Sequence, residues 1–159
     1  MDVIWDELTS GLPDAKQLVH VLIRLSAATL LGALIGFERE KAGKPAGLRT
    51  HMLVTLGTAV FVLACSGVGM SSEELSRVIQ GIITGIGFLG AGSILKLSEE
   101  RDIQGLTTAA GVWMTAAVGV AVGLGSLGVA LLSTLFALGI LSVSRRFQHH
   151  VTHRPPTDD

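Results

Sequence analysis

Tyrosine is absent from this chain, aromatic residues make up only 4% of it, and there are four prolines and one cysteine. A lone cysteine forms no intramolecular disulfide, so a disulfide-stapled scaffold is excluded, and Cys65 reads as a small buried apolar residue. Charge is scarce as well: charged residues amount to 16%, and the formal net charge is -1. That balance removes any bulk electrostatic case for nucleic acid. No glycine-rich loop ends in Gly-Lys-Thr or Gly-Lys-Ser, and there is no nucleophile elbow and no His-Glu-x-x-His. The expectation is a protein that is not an enzyme and holds no cofactor.

Apolar residues are what the chain has in abundance. They make up 48% of 159 residues, with a mean hydropathy of +0.57, too apolar for an ordinary soluble domain. Runs of about 17 to 25 apolar residues suit a bilayer crossing, and five are present: Leu18 to Phe37, Thr50 to Val68, Val78 to Leu95, Leu106 to Leu124 and Leu127 to Val143. The expected fold class is therefore all-α, a polytopic membrane protein of about five transmembrane helices. Residues 1-17 form an N-terminal segment, 18-143 the membrane domain and 144-159 a polar tail ending in Pro155-Pro156, which reads as frayed or disordered. The first residues are acidic where a signal peptide would be basic, so span one is expected to stay in place.

Charge placement orients the spans. Arg39, Lys41, Lys44, Arg49, Lys96, Arg101, Arg145, Arg146 and Arg154, nine of the twelve basic residues, fall on one side if five spans alternate. Lys16 and Arg77 fall on the other with the acidic Asp2, Asp6, Glu7, Asp14, Glu73 and Glu74, and Arg24 lies inside a span. By the positive-inside rule the N-terminus is outside and the C-terminus cytoplasmic. Gly123 to Gly128 leaves almost no loop, so spans four and five must be adjacent and antiparallel.

Span three concentrates glycine at Gly81, Gly85, Gly87, Gly90 and Gly92. Each costs a helix about 1 kcal/mol relative to alanine, so close helix approach or a broken, ion-holding helix must justify them. Gly105 and Gly111 begin span four, and Trp113 is expected to pack on this glycine surface. A shift of 58 positions aligns residues 31-60 with 89-118 at nine identities without a gap, which raises a duplicated helix hairpin against chance similarity between two segments rich in Gly, Ala, Leu and Val.

Several polar residues are candidates for function. Arg24 reads either as snorkelling toward Glu73 or Glu74 or as an anchor facing Gln80 and the carbonyls of span three. His20, one turn earlier, reads as an interfacial polar cap. Glu38, Arg39 and Glu40, followed by Arg49, Thr50 and His51, read as an ion-pair network locking spans one and two, or as a site gathering a divalent cation or an anionic group. Glu38 and His51 alone are a weak metal signal, and whether a metal binds stays open. Thr107 and Thr108 are placed to cap the start of span four. His149, His150 and His153 are a possible metal cluster against the plainer reading of a solvated tail.

Five blocks, Arg24-Leu25, GFERE at 36-40, GLRTH at 47-51, GIGFLGAGSI at 85-94 and GLTTAAGVW at 105-113, resemble the MgtC/SapB family. The resemblance implies a multi-pass protein of the bacterial inner membrane, associated with magnesium homeostasis, growth at low magnesium and, in pathogens, virulence. Longer members add a cytoplasmic C-terminal domain and are regarded as regulators of other membrane machinery, including the proton-driven ATP synthase. The tail at 144-159 makes this chain similar to the short members. A non-enzymatic regulator or interaction partner is therefore expected, surrounded by membrane lipid, as a homo-oligomer with a dimer favoured or with another membrane protein. The alternative is a small-solute or divalent-cation transporter acting as a homo-oligomer.

Overall fold

A computed structural model describes residues 3-4, 14-96 and 103-151. The N-terminal segment other than Val3, Ile4 and Asp14 to Gln17, Arg101, and His153 with the Pro155-Pro156 end lie outside these, as do the side chains of His149 and His150. From Asp14 onward, among the described residues, five helices follow one another: α1 (Ala15–Lys41), α2 (Leu48–Gly67), α3 (Ser72–Gly92), α4 (Leu106–Gly123) and α5 (Leu127–Val151). Between α3 and α4 the short strands β1 (Leu95–Lys96) and β2 (Ile103–Gln104) pair antiparallel. The first four helices are long and apolar enough to cross a membrane, and the apolar part of α5 is Leu127–Val143.

Each helix boundary has a local cause. Asp14 caps α1 by accepting from the Gln17 amide. Ser71 and Glu74 form a reciprocal capping box at α3. Gly69 and Gly125 end α2 and α4 with positive φ, 75° and 84°, a conformation that glycine adopts without strain. Two expected boundaries are corrected. Helix α1 runs past Phe37 to Lys41, because Glu38 to Lys41 are good helix formers that an apolar count discards. Helix α3 stops at Gly92 rather than Leu95, where Leu95 joins the strand pair. The backbone of 144-151 is helical, and the Pro155-Pro156 end expected to fray lies outside the described residues.

Helix α4 is the hub: it touches each of the other four helices. On one side Val118 and Val122 pack with Ala28, Leu31 and Ile35 of α1, Ala59 of α2 and Ala130 of α5. On the other side Val112 and Ala116 meet Ile86 of α3 and Ala46. Glycine makes these approaches possible. A Cβ on Gly32 would fall on the Thr55 hydroxyl and 2.7 Å from the His51 carbonyl oxygen, and one on Gly119 would fall on the Thr58 hydroxyl. Thr55 and Thr58 turn their hydroxyls back onto their own helix, donating to the His51 and Val54 carbonyls at 2.6 and 2.8 Å. The polar group is thereby satisfied, and the residue becomes a compact knob seated in a glycine notch.

The close approaches of α1 on α2 recur between α3 and α4 under the 58-residue shift. Gly32 meets His51 as Gly90 meets Ala109, and Gly36 meets Gly47 as Ile94 meets Gly105. Both second helices begin one residue after a glycine, at Leu48 and Leu106.

Candidate functional site

The bundle end where α1 finishes and α2 and α4 begin holds a buried polar cluster. Arg39 is 3% exposed, Thr108 2% and His51 0%. Arg39 donates from a terminal guanidinium nitrogen to the Thr108 hydroxyl at 3.0 Å, tying α1 to α4. His51 sets its Nδ1 2.9 Å from the Gly47 carbonyl. Because a carbonyl only accepts, Nδ1 carries the hydrogen. Gly111 closes the group: a Cβ there would lie 3.7 Å from His51 Nε2 and 4.0 Å from Arg39 Nε. Both of those nitrogens are buried without a hydrogen-bond partner, as are both carboxylate oxygens of Glu38.

The expected ion-pair network among Glu38, Arg39 and Glu40 is corrected. Successive helix side chains diverge by about 100°, so three neighbours cannot converge on one point. Arg39 turns to α4, while Glu40 accepts from the Leu48 amide at 2.9 Å and caps α2 in place of Gly47, which has no side chain to do so. Among the described residues the one ion pair joins Glu73 to Arg77 at 3.1 Å, on the exposed start of α3. Arg49 and Thr50 are exposed. Thr107 is exposed, and neither it nor Thr108 caps α4, whose N-cap is Gly105 with no side-chain bond. Among the described residues no cluster of three or more His, Cys, Asp or Glu could hold a metal.

Arg24 needs a second correction. It reaches neither Glu73, Glu74 nor α3, but donates to the Gly123 carbonyl at 2.9 Å, capping the C-terminal end of α4. A cation there meets the negative pole of the helix and an otherwise orphan carbonyl. Gln80 and His20 are exposed.

Helix α3 is unbroken through its glycines, and among the described residues a Cβ on Gly90 alone of the five would meet a neighbour, 3.6 Å from the Ala109 Cβ. A Cβ on Gly81, Gly85, Gly87 or Gly92 would meet nothing within 4 Å, so Trp113, itself 50% exposed, does not pack on these four. An open groove of about 440 Å³ runs between α2 and α3, lined by Phe61, Gly81, Gly85 and Leu89 among others. Sequence reasoning found the Arg39, His51 and Thr108 side chains but missed Gly111 as the wall between them. The signal for it was the run of small residues after Thr108.

Five packed helices, four of them long and apolar enough to cross a bilayer, define a multi-pass helical membrane protein. The MgtC family model matches residues 25–150, and this chain belongs to that family. It is similar to the protein SrpB of Synechococcus elongatus, 45% identical over 136 residues, which cover 79% of this chain and 75% of that protein. It is also similar to the protein MgtC of Brucella abortus, 45% identical over 130 residues, and to MgtC of Salmonella typhimurium, 46% identical over 117 residues. The match covers 82% and 74% of this chain but only 53% and 49% of those two proteins, about half their length. No solved structure matches this one.

Proposed function

We propose that this protein is a non-enzymatic component of the bacterial inner membrane serving magnesium homeostasis, and that it acts by capturing another membrane helix, first of all that of a second copy. The magnesium link comes from the family resemblance and is a reading of this chain by analogy. The capture reading is carried by one observation: Gly81, Gly85 and Gly92, which share one side of α3 at about 100° per residue, leave that face unfilled among the described residues, whereas Gly32, Gly36, Gly119 and Gly123 are each filled by a neighbouring helix. Gly81 and Gly85 are spaced as in small-xxx-small helix contacts and line the same groove.

A Cβ at Gly85 meets nothing within 4 Å, so Gly85→Leu is expected to fold with its side chain in the open groove, lose dimer cross-linking in the membrane and fail to support growth at low magnesium. A variant that cross-links and grows like the wild type would remove the helix-capture reading. Reproducible magnesium flux into liposomes holding only the purified protein would replace it with transport.

A further inference from the structure

We propose that Arg39, His51 and Thr108 hold a halide-sized anion against Gly111, and that the anion binds together with a proton on His51. The buried guanidinium is the first reason. A buried charge is costly unless paired, yet Arg39 is 3% exposed, and among the described residues no carboxylate oxygen comes within ion-pair distance of it. The start of two helices is the second. Helices α2 and α4 both begin at this end, and neither has an acid in its first turn, so two positive helix poles add to the guanidinium.

Size and donor chemistry select the ion. The missing Cβ of Gly111 marks a point in ordinary contact distance of both orphan nitrogens. Arg39, His51 and Thr108 are all but fully buried, which suits a small bare anion and not a phosphate carried on a lipid. Arg39 Nε and the Thr108 hydroxyl can both donate. His51 is the conditional member: with its Nδ1 hydrogen facing the Gly47 carbonyl, the neutral ring offers Nε2 only as a lone pair, which repels an anion. Protonation turns Nε2 into a third donor, so proton and anion favour one another.

Among the described residues the charges around this point are few. Helix α1 contributes Arg39, Glu38 and Glu40, the last engaged with the Leu48 amide, and α2 contributes the exposed Arg49. Helix α4 carries no charged residue. The charges of α3 are confined to its first turns at the far end, and residues 127-143 of α5 carry none. Glu38 is the competing counter-charge, since its carboxylate is buried and unpartnered.

The test uses the full chain in detergent micelles with 15N-labelled histidine, titrated between about pH 5 and pH 8, a range bracketing free imidazole, in sodium chloride and then in sodium gluconate of equal ionic strength. One ring is expected to take up its proton at higher pH in chloride, by about 0.7 pH unit or more, a roughly fivefold coupling. That resonance should vanish in His51→Gln, and the chloride effect should shrink in Thr108→Val, which keeps the side-chain shape. The proposal is overturned if no ring distinguishes chloride from gluconate, or if the responding ring survives His51→Gln. A chloride response that emerges only in Glu38→Gln would also overturn it, by making Glu38 the built-in counter-charge.

Discussion

Single atoms decide much of this fold, and the glycines show it best. At Gly32 the added methyl of Gly32→Ala would strike the Thr55 hydroxyl and the His51 carbonyl, an overpacking that typically costs about 1 to 3 kcal/mol. At Gly85 nothing stands within 4 Å, so Gly85→Ala should stabilise the isolated chain by up to about 1 kcal/mol through helix propensity. Thermal unfolding of the two variants in detergent checks the opposite signs. The residue type alone could not sort these positions, because a glycine filled by a neighbour and a glycine left open look identical in a row of letters. Arg24 teaches the same lesson. Its depth in the span was legible, but its partner at Gly123 depends on α4 lying beside α1, a contact 99 residues away. The GFERE, GLRTH and GLTTAAGVW blocks contain Arg39, His51 and Thr108, but the sequence grouped the first two with the exposed Arg49 and Thr50 and set Thr108 apart as a helix cap.

At the level of whole helices, apolar periods and turn residues locate all five elements because a bilayer span needs a long uninterrupted run. The ends are less legible, since helix formation does not stop where charge begins, as Glu38 to Lys41 show. The adjacency of α4 and α5 followed from the glycine turn between them, and the two helices do touch. Their unequal burial was invisible in composition. Helix α4 buries nine residues, among them Thr108, Val112, Thr115 and Val118, whereas α3 buries Ile86 and Gly90. Elements with few buried contacts open locally at lower free energy. Amide hydrogen exchange in detergent should therefore proceed at least about tenfold faster in the middle of α3 than in the middle of α4. Equal protection of the two helices in the isolated chain would contradict that ordering.

For the molecule as a whole, we propose from the charge asymmetry that the Arg39 end of the bundle faces the cytoplasm. Single cysteines introduced into a Cys65→Ala background report this directly, since Lys44, Ser71 and Ser126 are all exposed. In spheroplasts a membrane-impermeant maleimide should label Ser71→Cys and Ser126→Cys at once, and Lys44→Cys only after permeabilisation. The reverse pattern would invert the molecule.

The hub helix also sets a schedule for biogenesis. Chains emerge from the ribosome in order, so α1, α2 and α3 must already be in place before α4 supplies Thr108, the acceptor for Arg39, and the notches that receive Thr58 and Val62. Until then the growing protein carries a guanidinium without that hydrogen bond, and half-formed helix contacts. Its most vulnerable moment, to quality-control proteolysis and to the insertion machinery alike, is the interval between the synthesis of Gly92 and that of Gly123.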